Sequence, residues 1–139
     1  MRGYLLDTNV VSELRKGDRG HRRLADWYAR RDKRELFLSV ITLAEIRRGI
    51  ALLRRRDPLQ AAVLNRWCEN LQREFGRVGH LLSVDPAEAA DWGELMSLRS
   101  LPILDAFLAA TARTHRLTLV TRDVDDFAGL PIELENPFA

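Results

Sequence analysis

The chain has 139 residues, 46% of them hydrophobic and 30% charged, with a net charge of +2. That length suits a single domain, 1–139, with a core of useful size, and the composition suits a globular chain rather than a disordered one. Cys68 is the only cysteine, which excludes an intrachain disulfide and a cysteine-built zinc site. No apolar run approaches the roughly 20 residues that cross a bilayer, and the apolar part of the N-terminus is too short for a signal peptide. The expectation is therefore a cytoplasmic protein with no membrane partner. All but Lys16 and Lys33 of the 22 basic residues are arginine. Arginine suits phosphate recognition, although a GC-rich genome gives the same bias.

Residues 2–6 form a short apolar run that predicts a buried strand. Residues 8–16 then predict a helix, with Asp7 or Thr8 as N-cap and Gly17 as stop. Leu24, Trp27 and Tyr28 give residues 19–31 a helical pattern, and residues 35–40 read as a second strand. Leu43, Ile46, Ile50 and Leu53 share one face of a helix predicted over 42–56. Asp57-Pro58 breaks that helix and opens another over 59–75. A third strand is expected at 80–84. Helices follow at 86–98, with Asp85 as N-cap, and at 105–115, with further strands at 117–121 and 130–134.

Alternating strands and helices imply an α/β fold with a parallel sheet covered on both faces. Ligands in such sheets bind at the carboxyl ends of the strands. Four acids fall at that edge. Asp7 and Asp123 directly follow strands, Asp105 starts a helix, and Glu45 lies about one turn into one. Each alone has an ordinary explanation, as a cap for Asp7, Asp105 or Asp123, and as a solvent-facing partner of Arg47 or Arg48 for Glu45. Together they make a set of carboxylates drawn from distant segments to one edge. Such a set repels itself unless a divalent cation holds it, and Mg²⁺ or Mn²⁺ bound by carboxylates suits phosphate chemistry. Thr8 and Asn9 are the small polar groups placed to support Asp7. Arg47 and Arg48, close to Glu45, are the candidate substrate-phosphate contacts.

His21, His80 and His115 lack metal-ligand spacing and read as surface or helix-end residues. Arg54-Arg55-Arg56 suits the carboxyl end of a helix. An aspartyl-phosphate enzyme also carries acids at strand ends, but it calls for a lysine near the late strands, and both lysines lie early in the chain.

The strings Leu5-Leu6-Asp7-Thr8-Asn9-Val10, Ile41-Thr42-Leu43-Ala44-Glu45-Ile46-Arg47-Arg48-Gly49, Asp105-Ala106-Phe107-Leu108-Ala109-Ala110-Thr111-Ala112 and Leu119-Val120-Thr121-Arg122-Asp123 resemble PIN-domain ribonucleases. More narrowly they resemble the VapC and FitB toxins of bacterial type II toxin–antitoxin systems. The motifs stand in the family's order and span essentially the whole chain. The resemblance implies a PIN-like α/β/α sandwich with a parallel sheet of four to five strands. It implies an Mg²⁺- or Mn²⁺-dependent endoribonuclease that acts as a toxin, forms homodimers, and is blocked by a cognate antitoxin that links it to operator DNA. Carried over by position, Asp7, Glu45, Asp105 and Asp123 are the catalytic, metal-binding acids. Many VapC-like chains read Thr-Arg-Asn at the last position and place an acid three residues later. This chain has acids at both places. Asp123, nearer the strand end, is the favoured fourth carboxylate, and Asp126 is the next candidate as a supporting group. The alternative function is a binding protein that acts mainly through an antitoxin on operator DNA.

Overall fold

The computed structural model describes residues 2–139. Five parallel strands make one sheet: β1 (Tyr4–Leu6), β2 (Leu36–Ser39), β3 (Leu81–Leu82), β4 (Thr118–Val120) and β5 (Glu133–Glu135), in the order β3-β2-β1-β4-β5. Six helices connect and cover them: α1 (Thr8–Leu14), α2 (Arg22–Ala29), α3 (Val40–Arg54), α4 (Pro58–Arg77), α5 (Pro86–Leu98) and α6 (Ile103–Thr114). The expected α/β/α sandwich is the fold observed.

The period-2 alternation of strand side chains divides the core in two. Tyr4, Leu6, Leu36, Leu38 and Val120 face one apolar cluster, shared with α1 to α4. Leu5, Leu119 and Phe37 face a second, shared with α5 and α6. Both faces are thus buried, which is why these strands are short apolar runs and not polar–apolar repeats. Alanines at positions 106, 109, 110 and 112 of α6 are fully buried, and their small size brings this helix close against the sheet.

β1 is central, and the chain builds outward from it first to β2 and β3, then to β4 and β5 on the other side. The strand order therefore reverses between β1 and β4, where a crevice opens at the carboxyl edge. Leu6 pairs with Val120, which places Asp7 and Thr121 side by side one residue beyond the paired ends. The Asp7 N–H donates to the Val120 carbonyl at 2.9 Å and closes that corner.

Several element ends differ from expectation, for local reasons. α1 stops at Leu14, and Gly17, at φ +59°, opens a short 3-10 turn over Gly17–Arg19. α3 begins two residues earlier than predicted because the Ser39 hydroxyl accepts from the Ile41 N–H and caps it. α4 runs through Gly76 to Arg77. α6 begins at Ile103 with Pro102 before it, so Asp105 lies within the first turn instead of starting the helix. β5 is Glu133–Glu135 instead of 130–134, since Gly129 takes φ +85° and Pro131 has no N–H to give a ladder. No single helix among the described residues is long and apolar enough to cross a membrane.

Candidate active site

Asp7 is the N-cap of α1, so its capping role and its place at the sheet edge coexist. One carboxylate oxygen accepts from the Thr8 N–H at 2.7 Å, and the other accepts from the Thr121 hydroxyl at 2.8 Å. Both bonds lie in a nearly dry setting, with Asp7 only 7% exposed. Burial, the largest cause, pushes its pKa from the ordinary 3.8 up to about 6; the two hydrogen bonds oppose this, and the charges of Asp105 and Glu45 add to it.

Glu45 reaches the edge from the second turn of α3. Its carboxylate accepts from the Thr8 hydroxyl at 2.6 Å, and that hydroxyl also meets the Thr42 hydroxyl at 3.3 Å. The alternative reading of Glu45, a solvent-facing partner of Arg47 or Arg48, is not what the structure shows: Glu45 forms no ion pair among the described residues. Arg47 turns to α4, where its guanidinium donates to Asn65 at 3.2 Å and Gln72 at 3.1 Å. These bonds engage Arg47 on α4. Arg48 is exposed one turn beyond Glu45.

Asp105 is half-buried at the start of α6. Burial raises its pKa, and the charges of Glu45, Asp126 and Asp123 raise it further, in that order. Asp126 therefore presses on Asp105 at least as strongly as Asp123 does. Asp126 sits in a 3-10 turn over Val124–Phe127, anchored by buried Phe127. Arg99 clamps this turn by donating to the carbonyls of Asp126 (2.9 Å) and Ala128 (2.5 Å).

The small polar residues serve different acids from those expected. The Thr8 hydroxyl supports Glu45, and only its N–H serves Asp7. The Asn9 side chain holds Asp123 at 2.9 Å instead of Asp7. Sequence reasoning overlooked Thr121, which is fully buried, donates to Asp7 and accepts the Asp123 N–H at 3.0 Å. Its signal was a hydroxyl at the end of an apolar strand, where a valine would have packed equally well.

The rim thus gathers Asp7, Glu45, Asp105, Asp123 and Asp126, and none of the five forms an ion pair among the described residues. Burial first, and neighbouring carboxylates next, raise the pKa of Asp7 and Asp105, the electrostatic setting that a cation would relieve. No three acidic, histidine or cysteine side chains among the described residues stand close enough to enclose one ion together. The rim is open, in keeping with Mg²⁺, which commonly takes one or two carboxylates and completes its octahedron with water and substrate phosphate. The donor set, all hard oxygen, fits such an ion.

The PIN domain family matches residues 4–132. The chain belongs to the PIN-domain family. It is 33% identical to Toxin FitB of Neisseria gonorrhoeae over 96% of this chain and 97% of that one. It is equally 33% identical to the VapC ribonuclease Y4jK of Sinorhizobium fredii, covering 96% of each. Among solved structures, FitAcB from Neisseria gonorrhoeae superposes with a TM-score of 0.84 at 32% identity, covering 97% of this chain and 98% of that one. VapBC2 from Rickettsia felis shares the fold at a TM-score of 0.69 and 21% identity, covering 96% and 97%. The PIN fold therefore accounts for the whole sheet and for the edge at which the acids gather.

Proposed function

We propose that this PIN domain is an Mg²⁺- or Mn²⁺-dependent endoribonuclease and the toxin of a type II toxin–antitoxin pair. The observation that carries the reading is the buried Asp7 carboxylate, charged against its surroundings and flanked by Asp105 and Glu45 with no base to neutralise them. Asp7, Glu45, Asp105 and Asp123 would draw the cation to the rim, one or two of them as direct ligands and the others through its water shell, with Asp126 supporting. A divalent ion held there would neutralise phosphate charge and lower the pKa of a water. Thr121 and the Thr8 N–H fix both oxygens of Asp7. The Thr8 hydroxyl fixes Glu45, and Asn9 fixes Asp123. These bonds set Asp7, Glu45 and Asp123 before substrate arrives, so less reorganisation remains for the reaction. The relatives named as a toxin and a VapC ribonuclease support the same reading.

The test is cleavage of RNA by the purified chain with Mg²⁺ or Mn²⁺. Asp7→Asn and Asp105→Asn, or chelation by EDTA, should abolish it. In cells, mapping RNA 5′ ends after induction should show new sites with wild type and none with Asp7→Asn. Absence of new sites with wild type would sink the nuclease reading.

A second reading draws on a solved relative, FitAB bound to a DNA fragment, which superposes at TM-score 0.84 with 30% identity. On that reading the chain acts mainly as an antitoxin-bound partner on operator DNA, as a homodimer-based assembly in the cytoplasm. The two roles separate cleanly. Asp7→Asn and Asp105→Asn should relieve growth inhibition while antitoxin binding persists.

A further inference from the structure

A nuclease rim of five carboxylates must still admit a polyanion. A basic group near the rim would add affinity for the phosphates that flank the cut. Arg47 is bound to α4, and Arg48, though exposed near Glu45, has no hydrogen-bond partner that fixes it among the described residues.

Arg122 lies between Thr121 and the rim acid Asp123. Thr121 before it holds Asp7, and Asp123 after it is held by Asn9. Its own N–H faces the Asn9 side-chain oxygen at 3.5 Å. The side chain is exposed, yet its guanidinium carbon sits 3.9 Å from the ring centre of Phe138. That ring is 9% exposed and also meets the edge of His21 at 5.1 Å. The C-terminal segment is latched in place beneath it. Phe138 N–H donates to the Asn136 side chain at 2.9 Å, and the Asn136 amide donates to the Arg122 carbonyl at 3.4 Å. Glu13, the acid whose charge feels Arg122, is already engaged by Lys16 at 3.0 Å and by the His21 N–H at 2.9 Å. Arg122 forms no ion pair among the described residues.

We propose that Arg122, held over the Phe138 ring one residue from Asp123, is a substrate-binding residue that grips an RNA phosphate flanking the acid rim. The proposal rests on the nuclease reading above. A guanidinium stacked on a ring keeps its N–H donors free at the edge, the geometry that binds phosphate in a fork. Its outer face is left for a nucleobase to stack on. Pinning the side chain beforehand reduces the entropy lost on binding. Phe138 thereby acts as a positioning residue, through Arg122 and without touching RNA.

The test is a fluorescence-anisotropy titration of full-length protein with a labelled single-stranded RNA, in Mg²⁺ and over a series of salt concentrations. The Asp7→Asn background keeps the probe intact. Arg122→Ala should weaken binding about tenfold, the worth of one charge-assisted contact. It should also reduce the slope of log K against log salt by about 0.7, the value for one phosphate on a single strand. Phe138→Leu keeps the apolar volume and the charge but removes the ring. It should weaken binding while leaving the salt slope unchanged. Arg122→Lys should keep the slope and recover only part of the affinity. Unchanged affinity and slope in Arg122→Ala overturn the proposal. So does a slope that falls equally in Phe138→Leu, since that would report general loosening of the C-terminus. Cleavage of the same RNA by wild type separates the two ideas: if wild type cuts while Arg122→Ala binds normally, the nuclease reading stands and the role of Arg122 falls.

Discussion

Replacing Asp7 by asparagine should change the pH dependence of stability in the metal-free protein in a defined way. The folded pKa of Asp7 is about 6 against an ordinary 3.8. The folded state therefore binds the extra proton between those values, and its stability is fully present below 3.8 and lost as pH rises through about 6. At roughly 1.4 kcal/mol per pKa unit the whole penalty is about 3 kcal/mol, or on the order of 10 °C in Tm for a chain of this size. Asparagine preserves the shape. Its oxygen accepts from the Thr8 N–H, and its amide donates to the Thr121 hydroxyl, which has lone pairs to spare. Any fixed cost of the substitution is independent of pH, so the difference between the two proteins isolates the carboxylate. Urea melts in EDTA, taken from acid to neutral pH, should show the variant gaining on wild type by about 3 kcal/mol across that interval. Saturating Mg²⁺ should stabilise wild type at neutral pH and leave the variant nearly unmoved. Parallel pH profiles would refute the claim that Asp7 is a desolvated carboxylate held against its preference.

Thr121→Val is close to isosteric and removes the hydroxyl that serves Asp7 and the Asp123 N–H. A loss of about 1–3 kcal/mol in urea melts is expected, together with weaker Mg²⁺-dependent cleavage. Asp123→Asn and Asp126→Asn, compared by Mg²⁺ titration of cleavage, should both raise the Mg²⁺ requirement, with the larger rise in Asp123→Asn; the reverse order would make Asp126 the fourth carboxylate. Arg99→Ala frees the carbonyls of Asp126 and Ala128. Hydrogen exchange should then accelerate over residues 124–130 while the strands keep their protection, and equal protection throughout would remove Arg99 as the clamp.

Much of the site was legible in the chain because its signals are local. Short apolar runs marked β1, β2 and β4, and the acids beyond them fell at one edge by the geometry of parallel sheets. Proline and capping residues located α4 and α5 closely, since Pro58 and Pro86 can occupy only the first turn. The start of α6 was misplaced because the apolar run before Asp105 gives no cue distinguishing a connection from a helical turn.

The sequence by itself determined the layered α/β fold, the family, and which acids could share an edge, since these follow from periodicity and from residue type at fixed spacing. Only the tertiary structure decided which partner each acid takes. Thr8 serves Glu45, Asn9 serves Asp123, and Thr121 serves Asp7 across 114 positions of chain. It also decided that Arg47 faces α4 and that Arg122 rests on Phe138. The physical reason is that a hydrogen bond or a stacked cation depends on angles and distances between segments remote in sequence. No local pattern encodes those, and they are set only when the two faces of the sheet are packed.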